Sequence, residues 1–313
     1  MCVTDLGAIA TLAGARSARR LEKIQTLWGG YGELFRVALD GGSAPTAIVK
    51  WARPAAGDAT VSAARKCRSY DVETAFYRSI APRCDATCRV PALLGASGGM
   101  AEREWIIVLE DLDAAGFDRR IDEATGPTLE AALAWLASFH ARFLGERHEA
   151  LWSIGSYWCL DTRRDELPAI EDAALRDAAP RIAERLRGAR FQTLVHGDPK
   201  EANFCVTRDR AAVAAIDFQY TGAGCGMTDL AYLLYGRSDE PADGIDRARL
   251  DTYFGHLRRE LAGRDVDAAA LEEEWRALYP VARLDFCRFL AGWRPAGWRH
   301  DRAGQWFVRK NIT

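Results

Sequence analysis

The 313-residue chain is 49% hydrophobic and 27% charged, with a formal net charge of −2 and a pI near 6.3, an ordinary globular composition and a length sufficient for one large core or two lobes. Such a balance leaves no electrostatic footprint for nucleic acid or an anionic membrane, and no apolar run approaches the ~18 residues of a membrane span. Of the eight cysteines only Cys84 and Cys88 lie close together, with no second pair or histidine cluster to complete a zinc site, so reduced thiols and a cytoplasmic location are expected. Asp5 interrupts the first apolar stretch and Arg16, Arg19 and Arg20 follow it, which argues against a secretory signal.

Residues 21–28 read as a strand entering Gly29-Gly30-Tyr31-Gly32, and 33–39 as a second strand closed by the turn Asp40-Gly41-Gly42. Residues 46–51 form a third short apolar strand with Lys50 near its end. A helix is predicted over 61–80, carrying Glu73, with Pro82 just beyond. Residues 91–94 and 105–109 make two more strands, and Glu110-Asp111-Leu112-Asp113 ends the sheet in a polar connection. Beyond it, Leu129, Leu133, Leu136, Phe139 and Phe143 recur at helical spacing. Further helices are predicted over 169–187 and 246–262, a short strand over 211–216, and the C-terminal region is rich in Trp and Arg. The organisation changes near residue 113. An α+β chain is expected, with a small sheet-rich lobe (1–113) joined by one strand to a larger helical lobe (114–313).

The densest chemistry is His196-Gly197-Asp198-Pro199-Lys200-Glu201-Ala202-Asn203, followed by Ile216-Asp217-Phe218-Gln219. A carboxylate, a lysine and an amide share one tight loop, and a second carboxylate stands at the end of a short β-hairpin. This set suits deprotonating a hydroxyl and holding magnesium against a nucleoside triphosphate. Asp198 is the candidate base. Asn203 offers a neutral oxygen and Asp217 a charged one, hard ligands of the kind Mg²⁺ takes. Lys200 is placed to set its ammonium near the transferring phosphoryl group, or else to pair with Glu201 at the surface. Upstream, Gly29, Gly30 and Gly32 let backbone N–H groups approach phosphate oxygens, although a plain hairpin turn uses the same residues. Lys50 is expected to reach the α- and β-phosphates and Glu73 to pair with it. His196 is read as a loop-holding hydrogen bonder, His140 as a packing histidine and Asp229 as a structural anchor of the loop.

The order of glycine turn, Lys50, Glu73, Leu109-Glu110-Asp111-Leu112, His196-Gly197-Asp198, Asn203, Asp217-Phe218-Gln219 and Asp229 resembles the aminoglycoside phosphotransferase and choline kinase superfamily, over residues 25–235 or so. Gln219 after the Asp-Phe pair is similar to the ecdysteroid-kinase-like branch. The resemblance implies a protein-kinase-like two-lobed fold, with a small antiparallel-sheet N-lobe and a larger helical C-lobe. It implies ATP and Mg²⁺ as cofactors and phosphorylation of a hydroxyl on a small molecule. By the same resemblance, Leu109, Glu110 and Leu112 would belong to a hinge, 109–113, that presents backbone groups to adenine, Asp198 would be the base, and Asn203 and Asp217 the metal ligands.

A protein kinase is the weaker reading. Gly197 precedes Asp198 where those enzymes usually carry Arg, and only eleven residues separate Asp217 from Asp229, too few for a regulated activation segment. The long stretch between Phe143 and Asp198, with Tyr157, Trp158 and Asp161, is a predicted wall for a small substrate. A polycationic aminoglycoside calls for carboxylates, which Asp161, Asp165, Glu166, Glu171 and Asp172 offer, though a solvated helix face accounts for them as well. Trp293 and Trp298, among Arg288, Arg294, Arg299 and His300, suit an apolar or anionic ligand or the closing of a core. No cage for the quaternary amine of choline can be placed. The candidate substrate residues are thus Tyr157, Trp158, Asp161, Trp293 and Trp298, and the partner is a small hydroxylated molecule rather than nucleic acid or membrane. The alternative is a nucleotide-binding protein that has lost transfer, against which stands the presence of Lys50, Asp198, Asn203 and Asp217 together.

Overall fold

A computed structural model describes residues 5–55, 57, 60–121, 125–237, 241 and 244–312; Cys2 lies outside them. In chain order the first elements are α1 (Leu6–Leu12), β1 (Ser17–Thr26), β2 (Gly32–Asp40), β3 (Thr46–Ala52), α2 (Val61–Ser79), β4 (Leu93–Gly99), β5 (Glu104–Glu110) and β6 (Arg119–Arg120). There follow α3 (Gly126–Arg142), α4 (Ala173–Arg187), β7 (Thr193–Val195), β8 (Phe204–Val206), β9 (Val213–Ala215), β10 (Gly222–Gly224), α5 (Met227–Leu233), α6 (Arg247–Leu261), α7 (Ala268–Trp293), α8 (Pro295–Trp298) and α9 (Arg302–Asn311). Two compact units result: Met1–Ile121 with Phe204–Gln219, and Asp122–Asn203 with Tyr220–Thr313.

In the first unit β1 to β5 form one antiparallel sheet in the order β1-β2-β3-β5-β4. Alternate side chains of a strand face opposite ways, and both faces here are covered. Phe35, Val37, Val49 and Val108 pack with Ile9 of α1; Ala52 and Trp105 pack with Cys67 and Tyr70 of α2. Lys50, one residue from Val49, therefore points to the α2 side. The helix begins at Val61 because the Thr60 hydroxyl accepts the Ala63 N–H. The strand expected at 91–94 starts instead at Leu93 and runs to Gly99; Pro91 has no N–H to give to a ladder. A smaller sheet, β6-β8-β9, completes the unit, and the β8–β9 hairpin delivers Asp217 two residues past its end.

The turn from β1 into β2 depends on Gly32, whose φ is +148° and where a Cβ would lie 2.0 Å from the Trp51 carbonyl oxygen. Gly32→Ala is expected to cost about 1–3 kcal/mol of stability, the range for a residue forced into a sparsely populated conformation. Chemical denaturation checks it, and an unshifted midpoint would show that the turn tolerates a side chain.

The second unit is helical. α3 packs on α6, and the long α7 packs on α4, α5 and α9, enclosing Trp135, Trp158, Tyr253 and Trp275. The helix expected from residue 169 begins at Ala173, where the Asp172 carboxylate takes the Leu175 N–H; Arg164–Ala169 form a 3₁₀ turn and 170–172 are irregular. β7 and β10 pair antiparallel, Val195 opposite Gly222. Among the described residues no helix is long and apolar enough to cross a membrane.

Candidate active site

Two groups of the candidate residues come together, one within each unit. In the first unit the Lys50 ammonium lies 2.7 Å from the nearer oxygen of Glu73 and 2.9 Å from Asp217 Oδ1, with Lys50 and Glu73 both buried. Burial works against the lysine charge, but the carboxylates of Asp217 and Glu73 outweigh it and raise the ammonium above the ordinary lysine range. Burial pushes the Glu73 carboxyl up, and Lys50 opposes that. Asp217 is held at φ +67°, a left-handed conformation that Asp tolerates better than most residues. Phe218 then stacks on Phe76 of α2, ring centroids 3.7 Å apart at 7°.

Gln219 is a residue whose role the sequence did not reveal. Its amide donates to Glu73 Oε2 at 3.1 Å, and its oxygen accepts from Ser69 at 3.3 Å and from Lys66. Glu73 is thus fixed from two sides, by Lys50 and by Gln219. Leu109 and Leu112 are buried, and the Glu110 carboxylate is tied to Arg89 and to the Ala92 N–H. The Leu112 carbonyl takes the Phe117 N–H at 2.9 Å, while among the described residues the Leu112 N–H has no acceptor. Gly29 and Gly30 stand in left-handed conformations at the turn, with Trp28 exposed beside them.

In the second unit the loop after β7 is built around Asp229, which is wholly buried. Its carboxylate accepts the His196 N–H at 2.7 Å and the Gly197 N–H at 3.0 Å, and meets His140 Nε2 at 3.1 Å; His140 Nδ1 is 2.8 Å from the Tyr253 hydroxyl. His196 is equally buried and takes the Asp198 N–H on Nδ1 at 3.2 Å. Both histidines thus serve the scaffold. Asp198 Oδ2 is 3.0 Å from the Lys200 ammonium and 3.1 Å from Asn203 Nδ2, and that same amide nitrogen donates to the Asp198 carbonyl at 2.7 Å. With its nitrogen so engaged, Asn203 keeps its carbonyl oxygen without a partner among the described residues. Lys200 is directed at Asp198, not at Glu201. Burial first, then the nearby Asp198 charge, raises the pKa of the Tyr232 hydroxyl. Tyr232 sits one helical turn from Asp229 on α5, a spacing legible in the sequence that carried no chemistry until Asp198 was placed.

The candidate substrate residues separate. Tyr157 and Trp293 stand together, edge to face at 6.3 Å. Trp158 does not belong with them: it is fully enclosed by Tyr232, Phe286 and Phe289, and is a core residue because its ring fills the space between α5 and α7. Trp298 packs toward α9, 2.7 Å from where a Cβ of Gly304 would be. Asp161 is exposed and held by Arg164 and Arg187 at 3.0 and 2.6 Å.

The chain matches the model of the phosphotransferase enzyme family over residues 23–268. No curated protein matches it. Among solved structures it is similar to aminoglycoside phosphotransferase APH(4)-Ia in a ternary complex with ADP and hygromycin B, at 12% identity and a TM-score of 0.53, covering 99% of this chain and 100% of the other. It is similar also to a Thermobifida fusca protein assigned as a fructosamine-3-kinase, at 18% identity and a TM-score of 0.56, covering 98% and 99% of the two chains. A Plasmodium vivax ethanolamine kinase aligns at 13% identity and a TM-score of 0.52, covering 94% and 81%. Identities this low speak to architecture, and the architecture is the kinase-like α+β fold expected from the sequence.

Proposed function

This chain belongs to the phosphotransferase enzyme family, and on that premise we propose that it transfers the γ-phosphoryl group of ATP, with Mg²⁺, to a hydroxyl of a small molecule. The observation that carries the reading is Asp198: a buried carboxylate in a loop clamped by Asp229, with Lys200 and Asn203 on its side chain. In this reading Asp198 takes the acceptor proton as that oxygen forms its bond to the γ-phosphorus. The bond to the β,γ-bridging oxygen breaks, and ADP leaves with the electron pair. Lys200 keeps its ammonium beside Asp198, where negative charge on the phosphoryl group is met.

Lys50, fixed by Glu73, is assigned to the α- and β-phosphates, and Gly29, Gly30 and Gly32 to the phosphate turn. The N–H of Leu112, in the segment Leu109-Glu110-Asp111-Leu112, is assigned to adenine. Asn203 and Asp217 are the residues that would hold Mg²⁺: the first presents an amide oxygen whose nitrogen is already engaged, the second a carboxylate partly open to solvent. Bound Mg²⁺ supplies neutralisation of phosphate charge. The crystallisation of APH(4)-Ia with ADP supports nucleotide binding on this fold. The order Asp217-Phe218-Gln219 is the feature by which the ecdysteroid-kinase-like branch is proposed as nearest.

Thermal melting with ATP and Mg²⁺ tests the nucleotide half of the proposal: a rise in Tm that requires both is expected, and no rise at millimolar ATP would remove it. Gln219→Ala, which frees one side of Glu73, is expected to raise the KM for ATP several-fold with a smaller loss in kcat. Initial rates at varied ATP check this, and an unchanged KM would mean that Lys50 alone positions Glu73.

A further inference from the structure

Resting on the phosphotransfer reading above, we infer that Arg163 is a positioning residue for the base, setting Asp198 through the main chain of Tyr157. Residues 156–158 form neither helix nor strand, yet each of their backbone groups is paired. The N–H groups of Ser156, Tyr157 and Trp158 donate to the Tyr220 carbonyl at 3.1 Å, the Gly197 carbonyl at 2.8 Å and Ser156 Oγ at 3.1 Å. The Ser156 carbonyl accepts from the Cys159 N–H, that of Tyr157 from Arg163 Nε, and that of Trp158 from Arg288 at 2.6 Å. Gly197, one residue before Asp198, is thus gripped at its N–H by Asp229 and at its carbonyl by Tyr157. The approach is close: Gly197 has φ +83°, and a Cβ there would lie 2.2 Å from the Tyr220 carbonyl oxygen. Ser156 is held at φ +153°, a conformation that a residue other than glycine seldom takes and that persists only where its surroundings fix it.

Arg163 is buried and holds Tyr157 twice. Besides its bond to the carbonyl, its guanidinium lies 4.0 Å from the Tyr157 ring centroid and 5.1 Å from that of Phe289. Its other bond goes to the Glu166 carboxylate. Arg288, paired with Asp285 at 2.8 Å, closes the far end of the segment at Trp158. A buried ion pair adds little net stability, because both charges leave water, whereas the planar fork of a guanidinium fixes its partners in direction. The effect of Arg163 is therefore expected in the placement of the loop that carries Asp198 more than in the stability of the unit.

Hydrogen–deuterium exchange and initial rates on the full chain test the inference. One variant joins Arg163→Met to Glu166→Gln, so that no lone buried charge is left. A second, Arg163→Lys, keeps the charge and one donor for the Tyr157 carbonyl. In the double variant the amides of residues 196–203 are expected to exchange about tenfold faster while those of α6 stay as they were, a local opening and not a global one. The rates use the alcohol that takes label from γ-labelled ATP in the unaltered chain. There kcat is expected to fall about 10–10²-fold, as a displaced catalytic group gives, with the KM for ATP within about twofold. Arg163→Lys is expected to show both changes at reduced size. Unchanged exchange at 196–203, equal acceleration in α6, or a retained kcat would each overturn the inference. A chain that labels no alcohol would remove phosphotransfer and with it the base, while the exchange still reads whether Arg163 holds the loop.

Discussion

Asp198→Asn is expected to keep stabilisation by ATP and Mg²⁺ and to lose about 10²–10⁴-fold in the rate of transfer, the range for a positioned general base. The substitution keeps the size of the side chain and removes its charge and its capacity to take a proton. One oxygen remains for the Asn203 amide, so the loop is expected to hold its shape. The Lys200 ammonium, 3.0 Å from Asp198 Oδ2, loses its counter-charge and turns to solvent. Because phosphoryl transfer is loose and positioning dominates, the loss falls toward the lower end if Asp198 mainly orients the hydroxyl. Single-turnover rates alongside melting curves separate the two effects. Full activity in the variant would exclude Asp198 as the base, and loss of nucleotide stabilisation would assign it to the nucleotide instead.

Asp229→Ala is expected to be the most damaging change to stability. The carboxylate accepts two buried backbone N–H groups, from His196 and Gly197, and contacts His140. Removing it orphans both donors at about 1–3 kcal/mol each, or roughly 2–6 kcal/mol together, against a total that is typically ~5–15 kcal/mol. Urea denaturation reads the loss. Asp229→Asn keeps one acceptor oxygen and is expected to fall between the alanine variant and the unaltered chain. A loss under about 1 kcal/mol for Asp229→Ala would mean that the loop is held by other bonds, such as that of the Tyr157 N–H to Gly197.

Much of this was legible because local pattern sets it. The strand patterns in 33–39 and 46–51 match β2 and β3, and the helix expected over 61–80, with Pro82 beyond, matches α2 (Val61–Ser79) closely. The anchoring role of Asp229 and the packing role of His140 were also readable, since a buried loop needs an acceptor for its N–H groups. What was not legible depends on distant parts of the chain. Gln219 reaches Glu73, 146 residues earlier, and no local signal announces that. Residues 204–219 pack with the first unit although the loop before them belongs to the second. Trp158 and Trp293 have the same side chain, yet the first is enclosed and the second is 43% exposed; only tertiary packing tells them apart. Arg163, which no local sequence signal singles out, is 2% exposed, its guanidinium against the Tyr157 ring.

The central claim is the transfer itself, and following the γ-phosphate tests it most directly. The chain is incubated with γ-labelled ATP, Mg²⁺ and a set of hydroxylated molecules that includes ring-bearing alcohols, sugars, amino alcohols and aminoglycosides. The expected result is label in an organic phosphate ester, lost when Mg²⁺ is chelated and lost in Asp198→Asn. Label that stays in ATP, or leaves it only as inorganic phosphate, would contradict it.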